Sequence, residues 1–275
     1  MANSINTNVG AMVALQNLNA TSDALSTTQS RINTGKRIDS AMDNGAVWAI
    51  AQNQRAASAS LNSVKDSLQR GQSTVEVALA AGETVSDLLL QMKEKALSAA
   101  DSSLDAASRT AFAEEFVTLR GLITRAVSTA EFNGANMLRG ATATGVRALG
   151  DVNASAAGLV SVAAQTLTIT VLAISTAALT TRTLASTAIG LVTTAITNTS
   201  AKLARLGTGF KALTNQLNFV GKLQDGIDAG IGNLVDADLA KESAKLQALQ
   251  TKQQLGIQAL SIANQSSSIL LGLFR

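Results

Sequence analysis

The sequence predicts a mainly α protein: a long antiparallel, coiled-coil-like helical bundle with a small β-hairpin region and paired terminal helices. Three observations lead there. Apolar or small residues recur at alternating spacings of three and four from Val47 to Ala99, over about seven heptads, broken only by Gln54. No proline occurs in 275 residues, where about a dozen would be usual. Both terminal segments repeat an apolar stripe while carrying almost no charge.

In chain order, residues 1–32 show a seam at Ala11, Leu15, Leu18, Ser22, Leu25 and Ile32, widened by Val9, Met12 and Val13. Asp23 is the only charged side chain before Arg31, so this helix is expected to have protein on several sides. Residues 33–46, NTGKRIDSAMDNGA, are rich in turn and capping types and read as a joint. Ser40 followed by Asp43 resembles a helix-start capping arrangement for the rod that follows.

The helix of residues 47–99 would be a rod of about 80 Å. Its core positions include Leu61, Val64, Leu68, Val85 and Leu89. Trp48 reads as an anchor between joint and rod. Ser102 or Ser103 can cap a second helix, 103–130, whose stripe holds Phe112 and Phe116 and which a short connection turns back antiparallel. Asn133-Gly134 marks a turn. A hairpin region is expected over 134–175, with the alternation Thr166–Val171 as a half-buried strand. The heptad returns over 183–224 at Ile189, Val192, Ile196, Thr199, Leu203, Leu206, Phe210, Leu213, Leu217 and Val220, completing a rod domain of 47–224. Residues 225–238, DGIDAGIGNLVDAD, read as a second joint, although apolar spacing continues at Ile227, Ile231 and Leu234. The last helix, 239–275, carries Leu246, Leu249, Ile257, Leu260, Leu270 and Phe274, with no charge from Gln253 to Phe274.

This layout is symmetric about the middle and brings the two terminal helices together. Two charge-poor helices cannot hide all their apolar surface in each other, and large exposed apolar faces mark interaction surfaces. Burial against further copies of the same chain, in a repeating contact that does not close, gives a helical filament.

Composition argues against other classes. Histidine and cysteine are absent, which removes the commonest general base, metal ligand and thiolate nucleophile. The net charge is +3 with scattered cations and 3% aromatics, a poor fit to nucleic-acid binding. The uncharged stretch after Asp151 is laced with Ser and Thr, unlike a membrane span. The N-terminus lacks the pattern of a cleavable secretory signal. Gly207-Thr208-Gly209-Phe210-Lys211-Ala212 matches a loose dinucleotide pattern but runs through the heptad, so a close helix crossing or a local weakening of the helix explains it better. Asp225, Asp228, Asp236 and Asp238 lack calcium-loop spacing and suit capping. Glu114 with Glu115, and Lys93, Glu94 and Lys95, read as solvated helix faces. No catalytic residues, metal ligands or cofactors are expected. In the Ser/Thr run 175–200, Thr187 and Thr194 fall opposite the seam, either as plain exposed surface or as acceptors of O-linked sugars.

The segment SINTNVGAMVALQNLNATSDALSTTQSRINTGKRIDSAMDNGAVWAIA resembles the N-terminal signature of bacterial flagellins, and EFNGANMLRG is similar to their turn after the second rod helix. LGTGFKALTNQLNF and NLVDADLAKESAKLQALQTKQQLGIQALSIANQSSSILLGLF resemble their C-terminal half. The resemblance implies a filament subunit for swimming motility, extracellular, exported uncleaved through the flagellar type III apparatus with a dedicated chaperone. It also implies contact with junction and cap proteins, and a short form without large outer domains. A hook-filament junction protein with related ends is the alternative. On this resemblance the terminal helices make an inner tube and the rods the layer around it. Lys36 and Trp48 depart from the usual residues at the joint. Gln91 and Lys95 replace the Arg and Leu of the family's innate-receptor epitope, so strong recognition there is not expected.

Overall fold

The computed structural model describes residues 7–153, 155 and 158–272, without the side chains of 141 and 266–272. Its described elements are α1 (Val9–Thr34), α2 (Ala41–Ala99), α3 (Ala106–Thr129), β1 (Val146–Leu149), β2 (Leu159–Val162), α4 (Arg182–Val235) and α5 (Leu239–Gly272). The chain divides into two compact units, residues 57–225 and residues 1–56 with 226–275.

Within residues 57–225 the heptad of α2 is a continuous buried seam: Leu61, Val64, Leu68, Gly71, Val75, Ala78, Gly82, Val85, Leu89, Met92, Ala96 and Ala99 are all buried. Its partner is α4. Gln72 Nε2 donates to Thr214 Oγ1 at 2.9 Å and Gln224 Nε2 to Asn62 Oδ1 at 3.1 Å, so rising numbers on one helix meet falling numbers on the other. The α4 seam differs from the expected one. Val192, Thr199, Leu206, Leu213 and Val220 are buried, but Ile189, Ile196, Leu203, Phe210 and Leu217 are only half-buried. Small residues, Ala185, Ala188 and Ala195, take the alternate positions. Close approach is the reason: a Cβ on Gly82 would overlap Leu203, and one on Gly209 would overlap Val162. The glycines at 207 and 209 thus lie inside a helix, and the close crossing expected there is made by a strand side chain.

Asp105 caps α3, accepting from the Ser108 backbone N at 3.1 Å, where Ser102 or Ser103 was the expected cap. An upstream turn already uses Ser103, whose N and Oγ both donate to Asp101 Oδ1 at 2.9 Å. Arg109 closes the corner by donating to Ala99 O and Asp101 O. The antiparallel return of α3 brings Lys95 Nζ within 2.7 Å of Glu115 Oε2 and 5.8 Å above the Phe112 ring. Phe116, Ile123 and Val127 are buried, and Phe112 is half-buried.

Hydrogen bonds from Ser108 hold the Asp105 carboxyl below its ordinary value of 3.8, and those from Ser103 do the same to Asp101. Because these values are depressed on folding, the stabilisation is present above the ordinary value and disappears as pH falls through the folded one. Urea unfolding should therefore distinguish Asp105→Ala from the parent at pH 7, and the two midpoints should converge as pH falls below the ordinary carboxyl value and through the lowered folded one.

Asn133 (φ 50) and Gly134 (φ 80) form the expected turn, closed by paired hydrogen bonds between Phe132 and Ala135. Asn136 is buried behind it. Its Nδ2 donates to Val127 O at 2.8 Å, while its Oδ1 accepts from Leu138 N at 2.8 Å and Arg139 N at 2.9 Å. β1 and β2 then form an antiparallel hairpin with Val146 opposite Val162 and Leu149 opposite Leu159. Residues 166–171, expected as a strand, form none. Leu167 is buried, but Val171 is exposed and the segment closes turns, Leu172 N to Thr168 O and Ile174 N to Ile169 O. Among the described residues its start is tied to a neighbouring backbone by Gln165 N to Met137 O and Leu167 N to Leu138 O, too few for a ladder, and Lys202 Nζ donates to Thr166 O.

In residues 1–56 with 226–275, α1 packs antiparallel on α5. Asn8 Nδ2 donates to Ala263 O at 2.8 Å near one end, and Arg31 Nη1 reaches Glu242 Oε1 at 3.3 Å near the other. Gly35 at φ 69 ends α1 in the left-handed conformation. The joints are shorter than expected. α4 stays helical to Val235, so the glycines at 226, 230 and 232 do not break it, and the second joint contracts to 236–238. Each costs about 1 kcal/mol against alanine, but Ile231 and Val235 are buried with Ala51, flanked by Ile227 and Leu234. α2 already begins at Ala41, where Asp43 Oδ2 accepts from Asp39 N and Ser40 N. Extended Asn44 (φ −164) interrupts that turn, and its Oδ1 caps the long helix through Val47 N at 3.1 Å. Arg37 N and Ile38 N both donate to Val235 O, and Ala237 N donates to Gly35 O.

Candidate self-assembly surface

α1 and α5 pair with each other and still leave apolar surface bare. Leu18, Leu25, Ile32, Leu246 and Leu260 are half-buried and Leu249 is buried. Gly256 lets α5 approach Leu18, whose Cδ1 would lie 3.2 Å from a Cβ built there. Val9, Met12 and Leu15 remain exposed, as does Ile257, and beside them Val13, Leu255 and Ile262. Met12 is 63% and Ile262 68% exposed, values far from those of a completed core. The backbone of Leu270 is helical, its side chain lies outside the described ones, and Phe274 lies outside the described residues.

The rod positions divide. Leu61, Val64, Leu68, Val85, Leu89, Phe116, Leu206 and Leu213 are buried together in residues 57–225, whereas Phe112, Leu203, Phe210 and Leu217 flank that seam. Thr187 and Thr194 are exposed, their hydroxyls donating to Thr183 O and Gly190 O. Trp48 is half-buried, and Lys36 Nζ pairs with Asp39 at 3.1 Å. Asp238 caps α5 through Ala240 N and Lys241 N. Among the described residues no three His, Cys, Asp or Glu side chains converge as metal ligands, and no helix is long and apolar enough to cross a membrane.

Sequence reasoning missed the Arg31–Glu242 pair and Asn136. The first had a weak signal, since Arg31 is the only cation of α1 but Glu242 stands beside Lys241 and Lys245. The second had little, because an asparagine just after a turn resembles any other turn residue.

A protein of long packed helices whose paired α1 and α5 leave apolar side chains bare is the class this architecture defines. The family model for the bacterial flagellin N-terminal helical region matches residues 5–143, and that for the flagellin C-terminal helical region matches residues 189–274. The chain is 59% identical to flagellin FljM of Caulobacter vibrioides over 274 residues, covering 99% of both chains. It is 36% identical to a flagellin of Brucella melitensis over 287 residues, covering 99% of both. A crystal structure of Bacillus cereus flagellin shares the fold, with TM-score 0.51 and 23% identity over 56% of this chain and 88% of that one. The chain belongs to the bacterial flagellin family. It is a structural subunit of the flagellar filament, assembling as a homopolymer, and not an enzyme; the junction-protein alternative is not favoured.

Proposed function

We propose that α1 and α5 are the elements through which subunits polymerise, lining the inner tube of the filament, while residues 57–225 form the layer around it. The observation that carries this is the bare apolar run of Val9, Met12, Val13 and Leu15 on α1 with Leu255, Ile257 and Ile262 on α5. At about 25 cal/mol per Å² of apolar area, covering these side chains is worth on the order of 10 kcal/mol per subunit. The test is the full chain with Val13→Asp and Leu255→Asp together. Its far-UV circular dichroism should match the parent, and it should fail to elongate filament seeds. Elongation at the parental rate would overturn the assignment.

Family membership also supports the finer partners: junction and cap proteins in the same appendage, and a chaperone for uncleaved type III export. Thr187 and Thr194 are exposed enough to accept O-linked sugars. Intact mass of subunits sheared from cells tests both: a cleaved leader subtracts mass, and sugars add it in defined increments.

A further inference from the structure

In residues 57–225, α2 and α4 turn their seams toward each other, so their outward faces point in opposite directions. Those faces are oppositely charged. Between Arg182 and Gln224, α4 carries cations at 182, 202, 205, 211 and 222 and no carboxylate at all. Beyond exposed Arg70, the outward side of α2 carries Glu76, Glu83, Asp87 and Glu94, all exposed, as are Lys211 and Lys222 on α4.

Each of these six side chains lies two residues from a buried seam position: Ala78, Val85, Leu89, Met92, Leu213 and Val220 respectively for Glu76, Glu83, Asp87, Glu94, Lys211 and Lys222. Two residues are about 200° of helix, which sets Asp87, Glu94, Lys211 and Lys222 about 160° from those seam positions, while Glu76 and Glu83, directly after buried Val75 and Gly82, lie on the exposed flank of the seam. Among the described residues none of the six makes an ion pair; Glu94 lies near the charge of Lys95, which is itself bound to Glu115. Spacing matches as well as sign. Lys211 and Lys222 are eleven residues apart, as are Glu76 and Asp87, and Glu83 and Glu94. Eleven residues return a helix to within about 20° of the same line after about 16 Å.

We infer that the acidic line on α2 of one subunit docks against the lysine line on α4 of a second copy of this chain. The two faces of one subunit point apart and cannot meet. A contact between unlike surfaces of identical chains is heterologous and repeats from copy to copy, as a filament needs. Complementary charge sets the register and orientation of such a contact more than its strength. This inference rests on the filament reading above and names the surfaces in the outer layer that the terminal helices do not supply.

The test is carbodiimide coupling of the full-length protein, which joins an amine to a carboxylate only in contact, followed by peptide mass spectrometry. Assembled filaments should give intersubunit links from Lys211 or Lys222 to Glu76, Glu83, Asp87 or Glu94, absent from unassembled chain. Lys211→Glu with Lys222→Glu should raise the critical concentration for seeded growth at least about tenfold, through lost attraction and new repulsion. Adding Glu76→Lys, Glu83→Lys, Asp87→Lys and Glu94→Lys to the same chain should recover most of that loss. Filaments that form normally yet show no such links, and tolerate the lysine reversal unchanged, would overturn the inference and leave the filament reading standing. Parent protein that cannot elongate seeds at all would strike the filament reading itself.

Discussion

Replacing Phe116 by alanine should cost residues 57–225 about 3–5 kcal/mol, the largest loss expected from any single change here. Phe116 is 1% exposed, the largest fully buried side chain among the described residues, on the face of α3 that also buries Ile123 and Val127. α2 is a helix already packed along α4, and α3 cannot collapse onto it without dragging the Arg109 corner, so the cavity stays open. Phe112, one turn earlier, is half-buried beneath Lys95, and its truncation should cost less than half as much. Urea unfolding of the unassembled chain, followed by circular dichroism, reads both. Equal effects for the two variants would mean that α3 is held by its charged corner and not by its apolar face.

Asn136→Ala should come second, at about 2–4 kcal/mol. It strips three hydrogen bonds at once and leaves Val127 O and the Leu138 and Arg139 N–H groups to find partners in a buried place. Orphaned buried backbone groups each cost about 1–3 kcal/mol, only partly relieved if water enters. Asn136→Asp keeps the acceptor but loses the donor, and sets a carboxylate against Val127 O. It should be no better than alanine at pH 7 and should improve as the carboxyl is protonated in acid. The measurement is the urea midpoint at pH 7 and pH 4. An aspartate variant as stable as the parent at pH 7 would show that Val127 O does not need the amide.

The long helices and the α2 seam were legible because a pure seven-residue period without proline admits few alternatives, and because α2 meets its partner along one stripe. Where several elements converge, the period was less informative. On α4 the expected Ile189, Ile196, Leu203, Phe210 and Leu217 yielded to alanines and Gly209, since the hairpin's Val162 and the α2 backbone press in closely. Residues 225–235 read as a joint because glycine weakens an isolated helix, yet burial of Ile231 and Val235 against Ala51 outweighs that local preference. Thr166–Val171 alternates like a strand, but alternation specifies only which residues could face inward, and here the backbone closes turns at Thr168 and Ile169 instead of pairing along a ladder. The bare terminal surface was legible from charge depletion alone; the opposed charges on α2 and α4 needed the two seams to be placed before their outward faces could be compared.

The Arg31–Glu242 contact has a consequence for how the molecule is made. Its two side chains are 211 positions apart. At a synthesis rate of about 5–20 residues per second, roughly 10–40 seconds separate their appearance from the ribosome. For all of that interval the first helix has no intramolecular mate, so a nascent subunit is greasy at its leading end and waits on its last segment for cover. Any machinery that must keep newly made chains from joining prematurely has its task set by that delay.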